Sequence, residues 1–345
     1  MAPAAPKPIS LALQGGGAHG AFEWGAIDRL LEDGRVEIKA ATGASAGAMN
    51  AVVLAAGLQE GGPEAARRKL AAFWEGVNKA GGRNAFGDFG GAWSKALSPD
   101  WLKQTPGWRM AEAWSQAFSP YEFNPLNLNP LHDVLEDLVN FARLRAASPI
   151  ALYVSATNVR SGKSRVFRTA ELTGRHIMAS ACLPQLFQAV TIDGDPYWDG
   201  GYLANPALWP LFYDPTPADI LILNINPVER KRTPKDAGEI LDRLNEITFN
   251  ASLVAELRAV AFVQRLLDEG QLTEDARGRY RNMLIHCIDA GPWLGGLGWA
   301  TKFDTEWSFL QDLFQRGRHA ADRWLEDGLP HVGVRSGLDL KAWFS

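Results

Sequence analysis

The sequence predicts an α/β fold built on a mostly parallel sheet, and three observations support that class. Short apolar runs of the length of buried strands recur along the chain, at residues 9–13, 36–41, 150–156, 190–192, 220–225 and 283–288. Glycine-rich turns follow the first two runs. Segments with the apolar spacing of helices, 18–31 and 46–58, follow those turns. The alternation of strand, glycine turn and helix is typical of parallel βα units.

The composition is that of an ordinary globular protein, and it narrows the function classes. The 345 residues are 46% hydrophobic and 21% charged, enough for one large α/β domain with additions or for two smaller domains. The net charge of -4 and the lack of a basic run argue against nucleic acid as a main partner. The sequence has no apolar stretch long enough to span a membrane and no signal-peptide pattern at its N-terminus. A cytoplasmic protein is expected, with Cys182 and Cys287 as free thiols.

The first predicted strand is followed by the glycine loop, Gln14-Gly15-Gly16-Gly17-Ala18-His19-Gly20. Its spacing matches the Gly-x-Gly-x-x-Gly pattern of dinucleotide-binding folds, which place a carboxylate at the end of the second strand. Here that strand ends at Thr42 and Gly43 without a carboxylate, and the loop lacks the Gly-Lys-Ser/Thr of phosphate loops. Two interpretations remain open. The glycines either aim consecutive N–H groups at a developing oxyanion beside a helix N-terminus, or form a structural turn only.

The second predicted strand leads into Gly43-Ala44-Ser45-Ala46-Gly47, which begins the next helix. A Gly-x-Ser-x-Gly motif between a strand and a helix is typical of a nucleophile elbow. The tight turn lifts the serine hydroxyl clear of the sheet, and the small residues on either side let the backbones pass. The helix N-terminus that follows favours negative charge nearby. Ser45 is therefore the candidate nucleophile, although the motif alone also arises by chance in sequences rich in alanine and glycine.

The motif Asp199-Gly200-Gly201 offers a base for that serine. Asp-Gly by itself marks turns in many proteins. It gains weight here because a serine hydrolase needs a base and most histidines fall within strand or helix patterns. A triad of the α/β-hydrolase type, with His331 and either Asp199 or Asp289, stays formally open. That fold normally places its elbow after several strands, whereas Ser45 follows the second.

Two segments interrupt the α/β pattern. Residues 84–130 contain nine aromatic side chains among prolines and glycines. They predict either a cap subdomain with its own small core or a lid or interfacial surface. Residues 236–269 predict a long helix, which we expect to pack on the core or to form a dimer interface.

Together, the glycine loop, the elbow at residues 43–47 and Asp199-Gly200-Gly201 resemble the motifs of the patatin-like phospholipases. The resemblance extends from about residue 8 to about residue 226 and includes the helix-to-proline approach at residues 178–184. It implies a three-layer α/β/α sandwich, with a catalytic domain at 8–226 that carries the 84–130 insertion. The remaining residues, 227–345, would form a mainly helical C-terminal region that completes or covers this domain.

The resemblance also implies roles for individual residues. Ser45 would be the nucleophile and Asp199 the general base of a dyad without histidine, metal or cofactor. The oxyanion hole would be formed at Gly15, Gly16, Gly17 and Ala18, with the last three as the preferred N–H donors. The motif residues that would support this geometry are His19, Gly20, Gly43, Gly47, Gly200 and Gly201.

The substrate implied by the resemblance is a fatty acyl ester of a phospholipid or related lipid. The family usually carries arginine or lysine where this sequence has His19, and a histidine is only partly charged near neutrality. This departure weakens the expectation of a phospholipid headgroup more than that of hydrolysis. An esterase or thioesterase acting on other esters, or a catalytically silent lipid-binding protein, therefore stays an alternative. Peripheral contact with a membrane and homo-oligomerisation are also open.

Overall fold

The computed structural model describes residues 5–81, 119–230, 232–235, 237–277 and 279–343. Eight strands in these ranges form one sheet: β1 (Lys7–Leu13), β2 (Val36–Gly43), β3 (Ala151–Asn158), β4 (Lys163–Arg168), β5 (Val190–Ile192), β6 (Asp195–Asp199), β7 (Asp219–Asn224) and β8 (Leu284–Asp289). Their order is β5-β6-β3-β2-β1-β7-β8, and β4 pairs with β3. The five strands from β3 to β8 along this order are parallel, whereas β4, β5 and β6 pair antiparallel.

The helices surround this sheet. They are α1 (Gly20–Asp33), α2 (Ala46–Gly81), α3 (Pro120–Phe123), α4 (Pro130–Leu138), α5 (Phe141–Ala147), α6 (Gly174–Ser180), α7 (Trp209–Tyr213), α8 (Ala237–Asp268), α9 (Glu274–Arg277), α10 (Gly291–Leu294) and α11 (Trp307–Asp327). Helix α2 is broken at Gly61 and Gly62, where the backbone leaves helical geometry. Helix α1 ends because Gly34 takes a left-handed conformation, with φ of 75°.

Helices pack on both faces of the sheet, because alternate side chains of its central strands face opposite sides. In β1, Ile9, Leu11 and Leu13 belong to the core shared with α1, α2 and α11, whereas Ala12 belongs to the core shared with α7 and α8. Strand β7 alternates in the same way, and all six of its residues are buried. The predicted α/β fold, with a mostly parallel sheet between two helical layers, is confirmed.

One detail of the sheet decides where the catalytic candidates lie. Strand β2 pairs with the first half of β3, and this pairing ends at Gly43 and Val154. Strand β6 pairs with the second half of β3, with Asp199 opposite Ala156. Strand β4 takes the other edge of β3 over both halves, so β2 and β6 share one edge. Asp199 therefore lies on the edge of β3 just beyond the point where β2 ends and the chain turns at Ser45.

The residues after 226 also contribute to this architecture. Strand β8 extends the sheet beside β7. Helix α11 packs closely along α1, where a Cβ on Gly25 or Gly317 would overlap a backbone carbonyl of the other helix. Most of the aromatic-rich 84–130 segment lies outside the described residues, so its interpretation as cap or lid stays a prediction. No helix in the described ranges has the length and apolarity needed to cross a membrane.

Candidate active site

Ser45 lies at the turn between β2 and α2 in a strained conformation. Its φ of 52° falls in the left-handed region that residues other than glycine rarely adopt. Gly43 and Gly47 make the turn possible, because a Cβ on Gly43 would lie 2.6 Å from the Gly47 carbonyl carbon, and one on Gly47 would overlap the Leu13 carbonyl oxygen. The Ser45 N–H donates to the Ser180 hydroxyl over 3.0 Å. This is the geometry of a nucleophile elbow, in which local strain presents the hydroxyl.

Asp199 ends β6 and is fully buried. Its backbone N–H donates to the Cys182 carbonyl over 2.8 Å, and its carbonyl accepts from the Thr157 hydroxyl over 2.8 Å. Carboxylate oxygen Oδ1 accepts the Gly201 N–H over 2.7 Å. Oxygen Oδ2 is buried without a hydrogen-bond partner, so one lone-pair face of the carboxylate stays available.

Burial raises the pKa of Asp199 to about 6, opposed by the Gly201 N–H, the Ser45 hydroxyl and the charge of Lys302. The lowering of this pKa by Ser45 agrees with the sheet register, in which β6 pairs with β3 just beyond the end of β2. Gly200, which follows Asp199, packs directly on β3, where a Cβ would overlap the Ser155 carbonyl oxygen. The site thus pairs the hydroxyl of a nearly buried turn with a desolvated carboxylate, which can accept a proton at neutral pH.

The glycine loop lies against this pair. A Cβ on Gly15 would be 2.8 Å from the Ser45 Cβ. The Gly15 N–H donates to the Asn205 side chain, so Gly15 is not available as an oxyanion donor, which corrects its predicted role. The N–H groups of Gly16, Gly17 and Ala18 stand at the first turn of the helix that continues as α1, where backbone amides have no partner within the helix. Gly17 has φ of 58°, a conformation that favours glycine.

A cluster of buried amide side chains fixes the loop from below, and the motifs of the sequence did not indicate it. The Gln14 carbonyl oxygen Oε1 accepts the Ile225 and Asn226 backbone N–H groups, and its Nε2 donates to Asn250 over 3.2 Å. The Asn226 Nδ2 donates to the Gly15 carbonyl over 2.8 Å. Because these partners are between 211 and 236 positions apart in the chain, no local pattern predicts them. Only Gln14, adjacent to the glycine motif, could have been suspected from the sequence.

Comparison with known proteins agrees with this geometry. Residues 11–222, more than half of the chain, match the Patatin-like phospholipase family model. The chain belongs to the patatin-like phospholipase family. It is accordingly a hydrolase of carboxylic esters. A search of curated proteins finds no match.

This patatin-like phospholipase is also similar to two solved structures at low sequence identity. One is the crystal structure of VipD from Legionella pneumophila, at 16% identity and a TM-score of 0.43, covering 93% of this chain and 67% of that one. The other is the ExoU–SpcU heterodimer from the type III secretion system of Pseudomonas aeruginosa, at 17% identity and a TM-score of 0.38. It covers 95% of this chain and 53% of that one.

His19, in the fifth position of the patatin glycine motif, is buried and carries no charge. Its Nε2 lies 2.8 Å from the Thr301 hydroxyl, and burial, with the nearby charges of Lys302 and Arg230, lowers its pKa to about 3. The expectation of a partly charged histidine is therefore wrong, since the residue is neutral at physiological pH. The adjacent Gly20 brings α1 against α2, where a Cβ would be 2.8 Å from the Ala46 Cβ.

A triad with His331 is excluded by its place in the fold. His331 lies near Gly337, whose N–H donates to the Ile285 carbonyl at the beginning of β8. Ser45 follows the C-terminal end of β2. Because β2 and β8 run parallel within the sheet, Ser45 and His331 lie at opposite ends of the strands. The cysteines are free, as predicted. Within the described ranges, no group of three or more His, Cys, Asp or Glu side chains could hold a metal ion.

Proposed function

We propose that the protein hydrolyses fatty acyl esters of phospholipids or related lipids through Ser45 and Asp199. The observation that carries this proposal is the unpartnered Oδ2 of the buried Asp199, beside the strained Ser45 turn. A carboxylate of ordinary pKa is a weak base for a serine hydroxyl. The raised pKa of Asp199 makes it a stronger base that is still ionised at neutral pH.

In the first half of the reaction, Asp199 Oδ2 accepts the Ser45 proton while Oγ bonds to the ester carbonyl carbon. The carbonyl oxygen becomes an oxyanion, held by the N–H groups of Gly16, Gly17 and Ala18. The tetrahedral intermediate collapses, the bond to the leaving alcohol breaks, and that alcohol takes the proton from Asp199. In the second half, Asp199 takes a proton from water while the water oxygen attacks the acyl-serine carbonyl carbon. The second tetrahedral intermediate collapses, the bond between Ser45 Oγ and the acyl carbon breaks, and Ser45 takes the proton back from Asp199 as the fatty acid is released.

The dyad is tested by Ser45→Ala and Asp199→Asn, assayed on a phospholipid and neutral-lipid panel beside wild type. Ser161→Ala in an exposed loop and Asp195→Asn, four residues earlier on β6, are matched controls. We expect both dyad variants to lose at least about 100-fold in kcat because general-base and nucleophilic catalysis act as one unit. Undiminished hydrolysis by folded Asp199→Asn would exclude Asp199 as the base.

The substrate class needs separate measurements, since the dyad does not define the acyl chain. The rates on p-nitrophenyl esters of increasing chain length, with vesicle hydrolysis in parallel, separate a lipid hydrolase from an esterase or thioesterase for soluble or polymeric esters. Labelling of Ser45 by a fluorophosphonate probe separates both enzymes from a silent lipid-binding protein. A folded sample that neither reacts nor hydrolyses any ester would support the silent alternative.

Contact with a lipid surface is proposed through the first half of α8. Four apolar residues there are between 43% and 54% exposed: Ile240, Leu241, Leu244 and Ile247. The same half of the helix reaches the site, since a Cβ on Gly201 would lie 2.6 Å from the Phe249 ring. The pair Leu244→Glu with Ile247→Glu should reduce vesicle binding and leave hydrolysis of a soluble ester unchanged. Phe262→Glu, equally exposed farther along α8, is the control; equal loss in the control would remove the assignment.

A further inference from the structure

A short 3-10 helix from the C-terminal part of the chain, Trp299–Phe303, lies directly over the glycine loop. The Lys302 carbonyl contacts Gly17 so closely that a Cβ there would overlap it. The Thr301 hydroxyl forms a hydrogen bond with Nε2 of His19, two residues after Gly17 in the loop. This helix follows the residues matched by the family model, and it contacts the loop that holds the predicted oxyanion donors.

The side chain of Lys302 returns toward the catalytic centre. Its ammonium donates to Asn226 Oδ1 over 2.7 Å, and Asn226 Nδ2 donates to the Gly15 carbonyl over 2.8 Å. The ammonium also lies 5.1 Å from the centre of the Phe249 ring, the ring that contacts Gly201 next to the proposed base. The Lys302 ammonium thus contacts both Asn226, which holds the glycine loop, and Phe249, which packs on the turn after Asp199.

We propose that Lys302 is a positioning residue for hydrolysis: its ammonium fixes Asn226 and the glycine loop, and supplies the positive charge that the uncharged His19 does not. This proposal rests on the dyad mechanism above. During the first step, negative charge moves from Asp199 to the oxyanion, so the centre stays negative throughout. A nearby fixed cation stabilises that charge in an environment of low dielectric.

Other charged groups near the ammonium do not replace it. Glu246 and Asp242 face it from α8, Arg230 from the preceding loop, and Asp199 from β6. Glu246 is engaged by Arg230, with Nε and Oε2 separated by 3.1 Å. Burial lowers the pKa of Lys302 to about 8, opposed by Glu246, Asp199 and Asp242. Since the pKa of Asp199 is about 6, ionised base and charged lysine coexist between about pH 6 and pH 8.

Three other titrating groups near the site lie outside this interval. The pKa of His19 is about 3, burial raises that of Cys182 to about 12, and burial also raises that of Tyr202 above its usual range. A bell-shaped profile of kcat/KM on a soluble ester is therefore expected, with Lys302 responsible for the alkaline limb.

The test compares wild type with Lys302→Met and Lys302→Arg from pH 5 to pH 10. For Lys302→Met we expect about a 10-fold lower kcat, an acid limb at higher pH and no limb near pH 8. Wild type at pH 10 should fall to the rate of that variant. Lys302→Arg should restore the rate and the acid limb while lacking the alkaline limb, because arginine stays charged. Lys39→Met is the control, because Lys39 is an exposed residue of β2 whose side chain pairs with Glu37.

Two results would overturn the proposal. One is an unchanged profile in folded Lys302→Met, and the other is Lys302→Arg behaving like Lys302→Met, which would indicate a packing role only. Urea unfolding and fluorophosphonate labelling of Ser45 establish that each variant is folded with an intact site. Hydrolysis that depends on Ser45 but not on Lys302 refutes this inference alone, whereas hydrolysis independent of Ser45 refutes the dyad itself.

Discussion

Replacing Asp199 by asparagine should stabilise the fold while it removes the proposed base. The folded protein holds the Asp199 carboxyl at a pKa of about 6 because burial disfavours its ionised form, against 3.8 for the free side chain. A group with a raised folded pKa gives stability that is fully present below the unfolded pKa, and this stability is lost as the pH rises through the folded value. Asparagine keeps the shape and the acceptor for Gly201 but cannot ionise.

The size of the effect follows from the two pKa values. Each pKa unit corresponds to about 1.4 kcal/mol, so a difference of about two units amounts to about 3 kcal/mol at pH 7. At pH 5 the folded carboxyl is still mostly protonated, and the same linkage gives about 1.5 kcal/mol. We therefore expect the advantage of Asp199→Asn over wild type to roughly double between pH 5 and pH 7.

Urea unfolding curves at several pH values measure this directly, with midpoints and slopes compared at each pH. Asp195→Asn is the matched control: its side chain is about half exposed beside Arg160, so its effect should stay within about 0.5 kcal/mol. If Asp199→Asn were no more stable than wild type at pH 7, or gained equally at both pH values, the buried, ionised carboxylate inferred here would be refuted.

Three further predictions concern the same site. The acid limb of kcat/KM should follow the ionisation of Asp199, with about a tenfold loss per pH unit below about pH 6; a limb near pH 4 would show an ordinary carboxylate. Gly17→Ala should lower kcat and cost about 1–3 kcal/mol in urea unfolding, because its φ of 58° and the Lys302 carbonyl leave no room for a Cβ. Asn205→Ala should cost about 1–3 kcal/mol and lower kcat, since it leaves the buried Gly15 N–H without an acceptor; unchanged kinetics would show that the loop is held otherwise.

The sequence predicted most of the sheet, because a strand buried on both faces is recognisable as a short apolar run. Strands β4 and β6 were missed for different physical reasons. Strand β4 lies at an edge, with only Val166 and Phe167 buried, so it has no apolar run. Strand β6 contains Pro196 and pairs with β3 over three residues only. Asp199 was found through its glycines, and its position at the end of a strand came from the structure.

The predicted site residues were those that lie in short motifs, where backbone geometry demands particular residues. Asn205, Asn226 and Lys302 lie in no such motif, and their partners in the glycine loop are far away in the sequence. The charge of His19 was also beyond the sequence, because its neutrality results from burial under Thr301 and Lys302. Such contacts depend on which distant segments pack over the glycine loop in the folded protein, and local sequence patterns do not predict this packing.

The two halves of the site are therefore held by different means. The relative positions of Ser45 and Asp199 follow from the sheet, because β6 pairs with the edge of β3 that β2 leaves. The glycine loop is held by side chains from later segments, ending with Lys302. Substitutions in the C-terminal part should consequently change oxyanion stabilisation, and hence kcat, while leaving the reactivity of Ser45 toward a small fluorophosphonate nearly intact. Distinct responses of these two measurements would separate the proposed dyad from the proposed oxyanion loop.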